Sequence, residues 1–176
     1  MQLETNRLIM RPFEETDAEG LFLLDSNPEV MKYVGGVVST EIGHSRKMIE
    51  FIQKQYKENG VGRLAVIEKS SNLFIGWSGL KYLTSEINGM KNVYELGYRF
   101  LPEYWGKGYA TETAIAALNY AFDSIKTDIV YAMAVTENTG SNRVLRKLGF
   151  EELGTFLDNG DLCYWYKLER ENYKQN

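Results

Sequence analysis

The chain has 176 residues and a mass of 20.2 kDa, most simply one globular unit at roughly 100 to 200 residues per domain. Its 44% hydrophobic and 25% charged residues supply enough apolar surface to exclude intrinsic disorder. Lysine and arginine total 20 against 24 aspartates and glutamates, a net charge of −4, so a nucleic-acid partner, which calls for a basic footprint, is not expected. The lone Cys163 and lone His44 exclude an internal disulfide and remove most of the material for a His/Cys metal cluster or a Ser-His-Asp triad, so no metal is expected.

The first extended segment runs from Arg7 to Arg11 and stops at Pro12, which suits an edge strand because proline cannot donate to a ladder. Thr16 and Asp17 offer caps for a helix carrying Leu21 and Leu24. After Asn27-Pro28 a turn with Met31 and Tyr33 leads to Gly35-Gly36. Ser39 or Thr40 can then cap a second helix, with Ile42, Ile49, Ile52 and Tyr56 at helical spacing and Asn59-Gly60 at its end. Three extended runs follow, Arg63 to Glu68, Phe74 to Tyr82 and Val93 to Leu101, joined through Ser70-Ser71-Asn72 and Asn88-Gly89 as an antiparallel meander. A helix over Thr111 to Phe122, a strand over Ile129 to Val135 and a short helix from Asn138 to Leu148 come next. The last two strands, Phe150 to Phe156 and Leu162 to Leu168, flank Asp158-Asn159-Gly160.

The order β α α β β β α β α β β predicts an α/β fold of the mixed α+β kind, a single domain over 1–176. Its sheet is mostly antiparallel with helices on both faces. The one crossover expected to be parallel joins Val93–Leu101 to Ile129–Val135 through the Thr111 helix. No apolar run approaches the roughly 18 residues of a membrane span, and Met1 to Leu8 lacks the apolar core of a signal peptide. No membrane partner is expected, and the expected compartment is the cytoplasm.

At the carboxyl end of that crossover's first strand, Leu101 to Glu112 reads Leu-Pro-Glu-Tyr-Trp-Gly-Lys-Gly-Tyr-Ala-Thr-Glu. Gly106 and Gly108 permit positive φ, so successive N–H groups can converge on a phosphate at the positive end of the following helix, or simply make a tight turn. Lys107 adds a charge at the rim and Thr111 a hydroxyl in the first turn. A P-loop needs Ser or Thr after Gly-Lys, where Gly108 stands; a dinucleotide fingerprint needs glycine or alanine where Thr111 stands. Beyond the next strand, Asn138, Ser141, Asn142 and Arg143 cluster on a helix's first turn while Val144, Leu145 and Leu148 face inward. Asn138 also reads as an ordinary N-cap, and Ser141 as a common first-turn residue.

Together, Gly-x-Gly-Tyr-Ala-Thr-Glu and Asn-x-x-Ser-x-x-Val-Leu-x-Lys-Leu-Gly-Phe resemble the GNAT superfamily of N-acetyltransferases. With the opening Glu-Thr-Asn-Arg-Leu-Ile-Met-Arg-Pro-Phe and Glu95-Leu-Gly-Tyr98, the resemblance is to the RimJ/RimL-like branch, and it spans nearly the whole chain. It implies an acetyl-CoA-dependent transfer of an acetyl group to a primary amine, a protein N-terminus or a small molecule, by a monomer or homodimer without metal. It implies that pantetheine pairs with backbone of Phe100 and Leu101 and that the pyrophosphate sits on the amides of Gly106, Lys107, Gly108, Tyr109, Ala110 and Thr111. Asn138, Asn142 and Arg143 flank the cofactor, and Ser141, in place of the superfamily's frequent tyrosine, protonates the departing thiolate. A backbone N–H near Leu101 holds the oxyanion. Trp105 stands where the superfamily usually has Arg or Gln. The alternative of another class is a CoA-binding regulatory module that keeps the fold without turnover.

Glu95, on an otherwise apolar strand, is either a base for the amine or paired structurally, with Arg99 the nearest candidate. Tyr33, Trp77 and Tyr82 are candidates for an acceptor pocket. His44 reads as a surface or lid residue and Cys163 as a small buried hydrophobe. Glu151, Glu152, Asp158 and Asp161 read as a solvated turn or an amine-steering patch.

Overall fold

The structure, a computed structural model, describes residues 1–174. One sheet runs through it, built from β1 (Leu3–Glu4), β2 (Leu8–Arg11), β3 (Leu64–Glu68), β4 (Leu73–Leu83), β5 (Val93–Phe100), β6 (Ile129–Val135), β7 (Glu151–Asp158) and β8 (Asp161–Glu169). Their spatial order is β1-β2-β3-β4-β5-β6-β8-β7. Every neighbouring pair is antiparallel except β5 and β6, as the crossover argument requires.

Helices α1 (Ala18–Asp25), α2 (Pro28–Met31) and α3 (Ile42–Asn59) cover one face, and α4 (Tyr109–Asn119) and α5 (Thr139–Lys147) the other. On the first face Leu21, Leu24, Ile49 and Ile52 meet Phe13 and Ala65. On the second, Ala114, Ala117 and Ala121 bring α4 close to Leu80, Leu96 and Val130, and Leu145 and Leu148 bring α5 beside them. Small side chains let that helix approach the strand backbone, so its first turn is aimed by packing and not by its own cap.

Several expectations shift. The Arg7 strand is not the sheet edge: Leu3–Glu4 pairs outside it, Leu3 opposite Met10. The turn after Asn27 is the short helix α2, capped when Asn27 Oδ1 accepts from the Glu29 N–H at 2.9 Å. Neither Ser39 nor Thr40 caps α3, whose N-cap is Glu41. Asp17 makes no side-chain cap to α1; its buried carboxylate accepts from both Arg11 Nη atoms at 2.7 and 2.8 Å and from the Glu14 N–H. The Thr111 helix starts two residues earlier, at Tyr109, and widens into a π-helical segment over Tyr120–Ile125. Among the described residues no helix is long and apolar enough to cross a membrane.

Candidate active site

Strands β5 and β6 pair only where Tyr94 to Leu96 meet Val130 to Ala132. Beyond that point β5 stays on β4 as far as Phe100, and β6 stays on β8 as far as Val135. The two strands therefore part, and the gap opens into a cleft of about 1040 Å³. The Leu101 N–H donates to the Ile75 carbonyl at 3.0 Å. That bond sets the phase of the ladder: peptide groups of Leu101, Arg99 and Gly97 turn toward β4, and those of Tyr98 and Phe100 toward the gap. The Phe100 carbonyl is already taken by the Trp105 indole N–H at 2.7 Å, which gives Trp105 a positioning contact. The Tyr98 peptide and the Phe100 N–H remain facing the cleft.

One end of the cleft is the Gly106–Thr111 loop. Gly106 and Gly108 have φ of 73° and 83°, and Gly108 is the N-cap of α4 with no side chain capping the helix. The first-turn amides thus lack a side-chain partner, the arrangement that accepts an anion. A Cβ on Gly106 would meet nothing within 4 Å, and one on Gly108 only Arg7 Nη2 at 3.6 Å. The residues fit a pyrophosphate: open approach, unspent N–H groups and the helix dipole act together. Arg7 stands over this loop, with Nε donating to Glu112 Oε2 at 2.7 Å and Nη1 to the Lys107 carbonyl at 3.0 Å. Its guanidinium also lies 4.3 Å from the Tyr109 ring centroid. Burial pushes the Glu112 carboxyl up, but hydrogen bonds from Thr5 and Arg7 outweigh it and hold the group below its ordinary value. Gly108→Val, which puts a β-branched side chain at positive φ over these amides, is expected to weaken CoA binding at least about tenfold, roughly 1.4 kcal/mol. Calorimetry on the folded variant checks it; unchanged affinity would remove the loop from the binding surface.

The other flank is the start of α5. Asn138 caps it, its Oδ1 accepting from the Ser141 N–H at 3.1 Å. Ser141 Oγ donates to the Tyr98 hydroxyl at 3.1 Å, and that hydroxyl donates to the Ser141 carbonyl at 3.2 Å. Burial pushes the Tyr98 phenol well above its ordinary value, so it stays protonated and keeps the two hydroxyls linked. Asn142 is buried: its Nδ2 donates to the Val135 and Thr136 carbonyls and its Oδ1 accepts from Tyr166 at 2.9 Å. It ties the end of β6 to α5 and β8. Arg143 borders the cleft and has no ion pair among the described residues.

The opposite face of β5 holds charge. Glu95 is 6% exposed and paired with Arg63, not Arg99; Arg63 Nη2 lies 2.7 Å from Glu95 Oε2. Arg63 Nη1 also donates to the Glu95 and Gly79 carbonyls. A Cβ on Gly97 would stand 2.5 Å from Arg63 Nη2, so this glycine is required by the guanidinium lying over it. Gly97→Ala is expected to displace Arg63 and cost about 1–3 kcal/mol, the range for overpacking, measured by urea denaturation. Arg99 pairs instead with Asp25 at 2.7 Å. Burial raises the Asp25 pKa against the pull of Arg99 and lowers that of Arg99. The Arg63 and Arg99 guanidinium carbons lie 5.3 and 5.0 Å from the centroid of one ring, Trp77.

The cleft thus gathers Glu95, Phe100, Gly106, Gly108, Tyr109, Ala110, Thr111, Asn138, Ser141 and Arg143. Leu101, Lys107 and Asn142 lie outside it. The Leu101 N–H and carbonyl are both spent inside the fold, on Ile75 and Tyr104, so it offers no oxyanion donor. The Lys107 ammonium sits 5.0 Å over the Tyr104 ring, and the Asn142 amide is locked as described. Tyr33 and Trp77 line the cleft, but Tyr82 does not: its ring packs 5.0 Å from Tyr94 on the α4 face. His44 is exposed on α3, outside the cleft lining. Glu152 pairs with Arg146 at 2.7 Å, while Asp158 and Asp161 border the cleft mouth. Cys163 is buried, and burial, then Asp158 and Asp161, push its thiol up to about 11. Its alkylation by iodoacetamide at pH 8 is expected to run on the order of 100-fold slower than that of free cysteine; an equal rate would show an accessible thiolate. Arg63, Tyr98 and Arg7 are legible in the sequence only as strand positions and not as site residues.

A mixed sheet split between its parallel strands, with an uncapped glycine-led helix at the mouth, defines an acyl-CoA-type transferase fold, and the comparisons agree. The acetyltransferase (GNAT) domain matches residues 7–151, and the chain belongs to that family. It is 32% identical over 152 residues, 86% of this chain and 84% of the relative, to a Bacillus subtilis protein named uncharacterized N-acetyltransferase YoaA. A crystal structure of a GNAT-family acetyltransferase from Bacillus anthracis superposes with a TM-score of 0.80 at 30% identity, covering 97% of this chain and 99% of that one. A Vibrio cholerae spermidine N-acetyltransferase, solved with CoA and spermine, shares the fold at 23% identity and a TM-score of 0.76, covering 96% and 99% of the two chains.

Proposed function

We propose that this chain is a single N-acetyltransferase domain over 1–176 that moves the acetyl group of acetyl-CoA directly to a primary amine, in the cytoplasm. The motifs at its opening and in Glu95-Leu-Gly-Tyr98 support a reading near the RimJ/RimL-like branch. The observation that carries the reading is the division of labour across the split. Uncapped amides and two linked hydroxyls lie on the α4–α5 side, and a buried carboxylate lies on the α1–α3 side.

The thioester supplies an activated acyl carbon. Amides of the Gly106–Thr111 loop and Arg143 would hold phosphate charge, and the Tyr98 peptide with the Phe100 N–H would align the extended arm. Glu95 Oε2 is occupied by Arg63, which leaves Oε1 to take the amine proton, directly or through one water. As the amine lone pair forms the N–C bond, the C–S pair leaves on sulfur, and Ser141 Oγ turns its hydrogen from the Tyr98 hydroxyl to the thiolate and passes on a proton that water replaces. A thiol near pKa 8.5 is already a fair leaving group. Ser141→Ala is therefore expected to lower kcat by about 10 to 10³, less than loss of a strong oxyanion donor. The cap uses the Ser141 backbone N–H, so melting should move little. A lowered Tm with normal turnover would assign Ser141 to structure.

The test of the reading itself is acetyl-CoA turnover, read as free thiol, across peptides and small amines. Release of thiol with one class of amine supports it. Tight CoA binding with no release across the panel would make the chain a CoA-binding module.

A further inference from the structure

Glu95 and Tyr98 lie three residues apart on β5, so the period of two puts them on opposite faces of the strand. Glu95 serves the α1–α3 side, and Tyr98 reaches the start of α5. A serine hydroxyl by itself is a far weaker acid than a thiol of pKa near 8.5. Proton transfer from Ser141 to sulfur therefore runs uphill unless a neighbouring donor takes up the charge left on Oγ.

Among the described residues, the Tyr98 hydroxyl is the protein group that Ser141 Oγ bonds. Asn138 Oδ1 holds the Ser141 N–H at 3.1 Å and the Tyr98 hydroxyl holds the Ser141 carbonyl at 3.2 Å. The backbone of Ser141 is thus fixed from two sides, and Oγ is kept 3.1 Å from the phenol oxygen. Burial pushes the phenol pKa up, so the group stays protonated and meets charge as a donor. Its present acceptor releases it at little cost. The Ser141 carbonyl belongs to α5, where helix geometry supplies a donor four residues on, so it stays bonded when the phenol turns away. The Tyr98 ring packs against the cores on the α4 side, and only its O–H has to rotate.

We propose that Tyr98 is a positioning residue for the leaving-group step: as Ser141 Oγ passes its proton to sulfur, the Tyr98 O–H turns from the Ser141 carbonyl to Oγ and holds the charge there until water restores the proton. The proposal rests on the transferase reading and adds to it a side chain that acts through Ser141. The C–S electron pair goes to sulfur, sulfur takes the Ser141 proton, the phenol keeps its own, and the proton lost by the amine balances the one that water returns. A hydrogen bond to developing charge in a site screened from water is stronger than one between neutral groups.

Tyr98→Phe keeps the ring in the core and removes only the hydroxyl. With the amine that gives the fastest thiol release, it is expected to lower kcat about 10- to 100-fold, what a hydrogen bond to a charged group supplies. KM for the amine, and CoA affinity by calorimetry, are expected to stay near the parent's. Ser141→Ala removes the group through which Tyr98 acts, so adding Tyr98→Phe to it is expected to lower kcat no further. A pin that merely holds α5 would instead move CoA affinity and Tm in both backgrounds. A further fall of about tenfold or more in the double variant makes the phenol an independent donor and overturns the proposal. So does a Tyr98→Phe kcat equal to the parent's, or a loss of kcat matched by lost CoA affinity. Those outcomes leave the transferase reading standing, whereas a parent protein that releases no thiol with any amine overturns that reading and this role together.

Discussion

Glu95→Gln is expected to lower kcat by about 10² to 10⁴, the usual worth of a general base, while CoA affinity stays near that of the parent. Glutamine keeps the shape and an oxygen for Arg63, which retains its bonds to the Gly79 and Glu95 carbonyls. What disappears is the proton acceptor at Oε1. The parent's rate should rise with pH as the amine loses its proton. The variant should keep that rise at a lower height, and a pH-rate profile compares the two. If the two profiles overlay in height and shape, Glu95 is structural and the amine sheds its proton to water. CoA binding is the internal control, because Glu95 lies on the face of β5 away from α4 and α5.

Arg63→Met is expected to cost about 3–5 kcal/mol, since removing one partner strands the other as an uncompensated buried charge. Arg63 is 9% exposed, and its guanidinium bonds one carboxylate oxygen and two strand carbonyls. At roughly 2–4 °C per kcal/mol for a chain of this size, melting should fall by about 10 °C. Adding Glu95→Gln should return part of that loss, and the excess over additivity in the double-mutant cycle measures the pair. A single variant melting within a degree or two of the parent would show that Glu95 finds other solvation in the cleft. The two variants together separate what the pair does for the fold from what its free oxygen does for the reaction.

How far a feature is legible in the sequence follows the separation of its parts along the chain. The Gly106–Thr111 loop and the Asn138 cap are local, so residue types at fixed offsets announce them, and both stand where expected. Glu95 is legible as an oddity on an apolar strand, but its partner lies 32 residues away, across β4. The sequence neighbour Arg99 turns instead to Asp25, 74 residues away. Tyr98 and Ser141 are 43 residues apart and join only because the split between β5 and β6 admits the first turn of α5. Trp77 and Tyr82 lie five residues apart on one strand, and the period of two puts them on opposite faces, so they do not share a pocket. Leu3–Glu4 is too short to show any period, and it is visible only as the outer partner of β2.

That two-residue strand and the residues after it bear on how the protein is handled at the bench. Thr5 and Arg7 both bond Glu112, in the first turn of α4, and Arg7 reaches the Lys107 carbonyl in the glycine loop. The family match begins only at residue 7, so a shortened chain trimmed to that boundary would lose Leu3, Glu4 and Thr5 while leaving the glycine loop and the Asn138 helix start in place. Such a chain would fold around an intact core yet present the phosphate loop with its outer brace removed. Affinity tags belong at the other end of this protein, and a weakened grip on CoA in an N-terminally cut preparation would report the missing brace and not a damaged active site.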